Sequence, residues 1–320
     1  MSAHETTVTV VGESLVDIIH NPHTQGPGQT HPGGSPLNVA VGTARLALKT
    51  TLVTDYAHDA HGLTIERHLR ENGVRTVNER ATPTSTATAT LGPDGAADYD
   101  FSIAWELNAT SESTLAAIAA AAHVHTGSIA AALQPGADAA LALVTAARKH
   151  ATVSYDPNCR PAISPDRDAA RRQAEVFVAV SDVVKASDED LHWLYPDRDP
   201  EDTLEAWLAL GPALIALTRG ARGTAILSRN GRVDVAAEPV DVADTVGAGD
   251  SFMAALISGL SQLDSLAAEN RARLNNLGAN ELRTLAAYAN HAAAITCSRQ
   301  GANPPRMDEL GTLNVGRAKR

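Results

Sequence analysis

The sequence predicts a doubly wound α/β fold carrying a small β lid, on three observations. Short β-branched runs such as Thr7-Val-Thr-Val-Val11 and Ala213-Leu-Ile-Ala-Leu-Thr218 recur between segments whose apolar residues fall at helical spacing. That alternation is interrupted once, where Thr alternates with Ala from Thr84 to Leu91 and a second strand pattern returns from Asp98 to Trp105. Towards the other end, Asp244-Thr-Val-Gly-Ala-Gly-Asp250 runs straight into a helix bearing Phe252, Ala255, Leu256 and Leu260.

Taken in order, the first run ends at Gly12 as a buried strand, with Asp17 just past its end. Ligands gather outside the carboxyl ends of strands in open parallel sheets, so Asp17 can face a substrate hydroxyl or be an ordinary turn aspartate. A Pro-, Gly- and His-rich loop from Asn21 to Pro32 delivers Gly33-Gly34-Ser35-Pro36-Leu37-Asn38 and a helix from Val39 to Leu48. Gly34 lets backbone approach a ligand and Asn38 both donates and accepts, although a helix-capping loop has the same composition. Thr51 to Thr54 is a strand and Gly62 to Asn72 an amphipathic helix stopped by Gly73. The Thr/Ala alternation suits an exposed antiparallel strand, joined through a hairpin turn at Gly92-Pro-Asp-Gly95 to its partner. With the loop after Asp17 it makes the lid, in segments of about 18–32 and 84–108 of one 1–320 domain without repeats or linkers.

Alternation resumes with a strand at His123 to Thr126, a helix from about Gln134 to Arg148 and a strand at Thr152 to Tyr155, followed by Asp156-Pro-Asn-Cys-Arg160. A strand at Asp182 to Lys185 leads into Ala186-Ser187-Asp-Glu-Asp190, whose acidity suits a helix N-terminus while Lys185 can meet a phosphate. The apolar strand ending at Thr218 turns through Arg219-Gly220-Ala-Arg-Gly223, and Asn230-Gly231 marks a hairpin. A last helix covers about Asn280 to Thr296.

The 320 residues, 44% hydrophobic, contain no apolar run long enough to span a bilayer. A net charge of −11 disfavours nucleic acid or an anionic membrane as partner. Cys159 and Cys297 lack metal-ligand spacing, and Met1 to Thr7 lacks the regions of a secretory signal, so a cytoplasmic protein is expected.

The glycine turn carries the chemistry. The N–H groups of a first helical turn have no intrahelical partner, and the helix dipole adds about half a positive charge there, so the turn favours phosphate. Gly247 and Gly249 open the backbone to that anion. Asp250 is repelled by it, unless its task is to take a proton from a hydroxyl attacking phosphorus. A helix N-terminus also favours aspartate for its own sake, so the stretch alone leaves both roles open.

Gly33 to Asn38 and Asp244 to Phe252 together resemble the two signatures of the ribokinase-like (PfkB) carbohydrate kinases, and the resemblance extends over nearly the whole chain. It implies a three-layer αβα sandwich with a mostly parallel central sheet and a β lid over the sugar. It implies that Asp250 is the base and that Gly247, Ala248 and Gly249 form the anion hole. Asp17, Gly34 and Asn38 match sugar-holding positions, to which Phe101, Asp156 and Arg160 are added. Lys185, Ser187, Thr218, Gly220 and Gly223 would line the ATP phosphates, and Asn290 the adenine. Mg2+ would accompany ATP, held through water by Asp190, and Asp244 fits a loop that in many relatives binds a monovalent cation such as K+. The family's N-x-x-E motif reads Ser187-Asp-Glu-Asp190 here, which shortens the carboxylate and removes the amide.

Asp98 to Asn108 contains no Lys or Arg, and Ser35 stands where a basic residue would balance a phosphorylated substrate, so a neutral sugar is expected. The phrasing most resembles fructokinases. Arg160 keeps 2-keto-3-deoxygluconate kinase as the rival, with ribokinase behind it and a non-catalytic sugar-binding homologue as the reading of another class. A homodimer through the lid is a further expectation.

Overall fold

The computed structural model describes residues 6–20, 28–78, 83–91 and 97–314. The chain enters with β1 (Thr7–Val11), crosses to a second sheet through β2 (Leu15–His20) and β3 (Gln29–Gly33), and returns by α1 (Ser35–Arg45) to β4 (Lys49–Thr54). After α2 (Ala60–Glu71) and β5 (Arg75–Asn78), it revisits the second sheet with β6 (Ser85–Leu91) and β7 (Ala97–Ser102). Next come α3 (Glu112–Ala119), β8 (His123–Gly127), α4 (Ile129–Ala132), α5 (Gly136–Ala147), β9 (Thr152–Asp156), α6 (Arg167–Ala179) and β10 (Val183–Ser187). They are followed by α7 (Asp188–Leu194), α8 (Pro200–Ala209), β11 (Leu214–Thr218), β12 (Thr224–Ser228) and β13 (Gly231–Val235). The chain closes with α9 (Ala248–Gln262), α10 (Arg271–Asn275), α11 (Ala279–Cys297) and α12 (Met307–Leu310).

Nine strands form the main sheet in the order β13-β12-β11-β10-β9-β8-β1-β4-β5, parallel except at β12 and β13. Successive side chains of a strand point to opposite faces, and both faces here are covered. Leu214 and Ala216 join the core beneath α1, α9 and α11, whereas Ile215 and Leu217 join the one beneath α5 to α8. That division makes the three-layer αβα sandwich. In α9 every residue from Asp250 to Leu260 is buried, because α9 packs between α1 and α11 and joins the core that they share with the sheet. Each large apolar side chain there, Phe252, Met253, Leu256, Ile257 and Leu260, contributes about 1.5–3 kcal/mol by leaving water. The core thus fixes the helix end that the glycine turn opens.

The second sheet runs β3-β2-β6-β7. It corrects two expectations. Asp17 does not stand past the end of β1 but lies inside β2, so the first lid segment starts at Leu15 rather than near residue 18. β6 has the expected antiparallel pairing with β7, but it is parallel to β2 on its other side and is not exposed, burying Ser85, Ala87 and Ala89. Its alternation is one of small residues facing the protein, not of apolar residues facing water, because Leu15, Ala87 and Ile129 pack together beneath the sheet. The hairpin turn expected at 92–95 and residues 21–27 of the expected 21–32 loop lie outside the described residues. α1 begins at Ser35 rather than Val39, since Pro36 falls in the first turn, where no N–H is needed. No helix among the described residues is long and apolar enough to cross a membrane.

Candidate active site

The turn into α9 is held from three directions. Gly247 has φ +75, and a Cβ there would come within 2.6 Å of the Ala302 Cβ, so this position requires glycine. Asp244 Oδ1 accepts from Val246 N at 3.0 Å and Oδ2 from Gly301 N at 2.9 Å, while Ala243 N donates to Cys297 O at the end of α11. Partial burial pushes the Asp244 carboxyl up, but the N–H groups of Val246, Gly301 and Thr245 hold it below the usual range. This aspartate is therefore the brace of the loop.

Asp250 lies in the first turn of α9 and is 8% exposed. Ser35 Oγ donates to its Oδ1 at 2.6 Å and Asn38 Nδ2 to its Oδ2 at 2.9 Å. Both donors belong to the first turn of α1, which the Gly33-Gly34 link sets against α9. Gly34 has φ +105, and a Cβ on it would lie 2.8 Å from Glu13 O. The two sequence signatures, more than two hundred residues apart, thus meet at one carboxylate. Two donors orient that carboxylate and leave it further lone pairs for a hydroxyl proton.

On the other side of the turn stands Lys185, whose ammonium is the nearest group to a Cβ built on Gly249, at 3.0 Å. It is buried and donates to Asp156 Oδ2 at 2.5 Å. Burial alone would lower the Lys185 pKa, but Asp156, Asp190 and Asp250 raise it overall, so the ammonium stays charged. Asp156 is therefore the partner of Lys185 deep in the sheet. A buried cation and the N–H groups of a helix start facing one space make an anion site.

The remaining expected residues sort into two sides. Ser187 pairs with Thr218 in the β10–β11 register and Thr218 with Thr224 across β12, and Thr224 Oγ1 donates to Asn290 Oδ1 at 2.7 Å. This line runs along the carboxyl ends of β10 and β11 and the start of β12, away from Lys185. Beside it Gly220 and Gly223, at φ +53 and +80, close the tight turn after β11. Asn290 Nδ2 also donates to Ala236 O at 3.1 Å, so Asn290 ties α11 to the end of β13. Asp190 forms a capping box with Ser187 and accepts from Cys159 N at 2.7 Å, which joins α7 to the 157–160 turn.

On the lid side, Phe101 packs with Leu15, Ala87 and Ile129. A Cβ on Gly33 would lie 2.2 Å from Asp17 Oδ2. Burial raises the Asp17 carboxyl above its usual range, with His31 and Arg160 opposing. Arg160 is exposed and donates to Asn158 Oδ1 at 2.8 Å and Cys159 O at 3.0 Å. One group escaped sequence reasoning. Glu13 is 2% exposed, accepts from Ala130 N at 2.9 Å, and is pushed up to about 7 by burial. A Glu directly after a buried strand and its terminal glycine was the available signal.

Residues 5–309 match the model of the pfkB family carbohydrate kinases. The chain is 32% identical over 333 residues to probable fructokinase-4 of Arabidopsis thaliana, covering 98% of both chains. Among solved structures, the fructokinase of Xylella fastidiosa with bound ATP superposes with a TM-score of 0.85 at 23% identity, covering 96% of this chain and 97% of that one, a likeness of fold. A double mutant of the Vibrio cholerae O395 fructokinase, holding fructose, ADP and a potassium ion, superposes with a TM-score of 0.78 at 26% identity, covering 98% of this chain and 100% of that one.

Proposed function

We propose that this chain, which belongs to the pfkB family of carbohydrate kinases, transfers the γ-phosphoryl group of ATP to the primary 6-hydroxyl of fructose, giving fructose 6-phosphate. The observation that carries the reading is the Asp250 carboxylate, held by Ser35 and Asn38 beside the glycine turn and the Lys185 ammonium. Asp250 takes the hydroxyl proton as the sugar oxygen bonds to phosphorus and the bond to the β-phosphate oxygen breaks. Lys185 and the N–H groups at Gly247, Ala248 and Gly249 stabilise the charge on the transferring group. Thr218, Gly220, Gly223, Ser187 and Asn290 receive the rest of ATP.

Among the described residues no three carboxylate, histidine or cysteine groups converge as a metal site. Both Asp190 oxygens already accept hydrogen bonds, from Cys159 and Ser187. Direct ligation of Mg2+ by this chain does not fit. The ion would be carried by the nucleotide phosphates and touch Asp190 only through water, neutralising phosphate charge. Both Asp244 oxygens likewise already accept, from Val246 and Gly301, so Asp244 would brace the loop of a K+ site rather than ligate the ion.

Acidic groups, Asp17, Glu13 and Asp250, surround the sugar side, Lys185 is committed to Asp156, and Arg160 is the cation there among the described residues. That balance favours a neutral acceptor such as fructose, held by Asp17, Gly34, Asn38 and Phe101. ADP release from Mg-ATP is to be measured with fructose, ribose, tagatose, adenosine and 2-keto-3-deoxygluconate. Preference for the sugar acid would transfer the assignment to Arg160 and a keto-acid kinase. No turnover on any acceptor would leave a sugar-binding homologue.

A further inference from the structure

A line of buried polar side chains crosses the core towards the phosphate side of the site and is used by nothing described so far. His123 and His125 of β8 pair in register with Thr152 and Ser154 of β9, on the sheet face that also carries Asp156 and Lys185. His123 Nδ1 lies 2.9 Å from Thr152 Oγ1 and His123 Nε2 2.8 Å from Ser154 Oγ, which is 2.9 Å from His125 Nδ1. All four residues are fully buried. Burial holds both imidazoles well below their usual range, to about 4 and about 3, so both are neutral and each carries one proton.

Two proton arrangements fit this chain. In one, His125 Nδ1–H donates to Ser154, the Ser154 hydroxyl to His123 Nε2, His123 Nδ1–H to Thr152, and the Thr152 hydroxyl to Ala122 O at 3.4 Å. In the other every proton is reversed, the bond to Ala122 is not made, and His125 keeps an Nε2–H. The first makes one bond more, that of the Thr152 hydroxyl to Ala122 O. It also leaves the buried His125 Nε2 a lone pair rather than an N–H, which the Lys185 charge acting on this ring favours. Among the described residues neither His125 Nε2 nor Asp156 Oδ1 has a hydrogen-bond partner. Asp156 is two residues, about 7 Å, beyond Ser154 on the same face.

We propose that the Thr152–His123–Ser154 relay fixes His125 as the Nδ1–H tautomer, whose bare Nε2 accepts from the Lys185 ammonium through one buried water that also donates to Asp156 Oδ1. His125 is then a positioning residue: it keeps the ammonium against the Gly249 turn instead of letting it collapse wholly onto Asp156. The role rests on the reading that Lys185 meets the transferred phosphoryl group. The water has three polar partners, as a buried water needs.

Long-range 1H–15N correlation spectra of the ligand-free wild type report the tautomers directly. Nδ1–H at both histidines is expected, and an Nε2–H at His125 overturns the proposal whatever the protein's activity. Kinetically, His125→Phe removes the acceptor and keeps the volume. It is expected to lower kcat/KM for ATP about tenfold, as loss of a hydrogen bond to a charged group does, with the KM for fructose unchanged, and His125→Gln is expected to restore part of the loss. A folded His125→Phe enzyme within twofold of wild type overturns the proposal. If that variant does not fold, the tautomer measurement decides. Wild-type protein that phosphorylates no sugar would strike at the kinase reading, leaving the tautomer result to stand or fall separately.

Discussion

Replacing Asp250 by Asn tests the centre of the mechanism, because the change keeps shape while removing the base. The carboxylate accepts from Ser35 Oγ at 2.6 Å and Asn38 Nδ2 at 2.9 Å. An amide offers one acceptor and one NH2, so one of the two donors loses its partner. The Ser35 hydroxyl can reverse and accept, which confines the structural cost to one weakened hydrogen bond of about 1 kcal/mol, plus about 0.3–1 kcal/mol for a charge lost at a helix N-terminus. The chemical cost is larger. Loss of a general base lowers turnover by about two to four orders of magnitude, or about 2.7–5.4 kcal/mol of barrier at 1.36 kcal/mol per tenfold. The two costs separate in experiment: kcat from ADP release with saturating fructose and Mg-ATP, fructose binding by calorimetry, and stability by denaturant unfolding. The expected variant is folded, binds fructose within a few-fold of wild type and turns over at least a hundred times more slowly. Turnover above a tenth of wild type would remove Asp250 as the base.

Three further outcomes follow from the same geometry. Gly247→Ala puts a Cβ at φ +75 and against Ala302, so denaturant unfolding should show a loss of at least about 1–2 kcal/mol, and kcat should fall further as the N–H groups rotate out of line; normal kcat would show that the turn does not bind the phosphoryl group. Lys185→Met leaves buried Asp156 without its cation and should destabilise by about 3–5 kcal/mol; adding Asp156→Leu should recover stability but not activity, and recovery of both would make the pair purely structural. Glu13, raised from 4.5 to about 7 by burial, binds its proton more tightly folded than unfolded. Its contribution is fully present below pH 4.5 and lost as pH rises through 7. Glu13→Gln should therefore gain on wild type across that window, by on the order of 3 kcal/mol at pH 8, and parallel stability curves from pH 5 to 8 would refute the burial argument.

Legibility differed between elements for physical reasons. α9 and α11 were placed within a residue or so, as a glycine turn and long apolar periodicity mark a helix start and length locally. β5, α3, α6 and α8 were passed over: β5 is an edge strand of four residues and α6 shows only a narrow buried stripe at Ala174, Phe177 and Val178, although Asp199-Pro200 at the start of α8 is a helix-start signal that was there to be read. The lid and its antiparallel β6–β7 pairing were foreseen, but not the parallel neighbour β2 or the burial of β6, because a Thr/Ala alternation states which residues share a face and not which face is covered. Ser35 was noticed for the charge it lacks, whereas in the folded protein its hydroxyl holds the base.

By itself the sequence determined the α/β class, the glycine turn, the carboxylate beside it and the absence of basic residues from the second lid strand, since each is written in the order of neighbouring residues. Only the tertiary structure decided that Asp250 is gripped from α1, that Lys185 lies under Gly249 with Asp156 behind it, that Asp17 belongs to the lid, and that two histidines line up towards Lys185. Each of these joins strands or helices distant along the chain, where the partner is chosen by sheet order and packing, and no local pattern carries that choice.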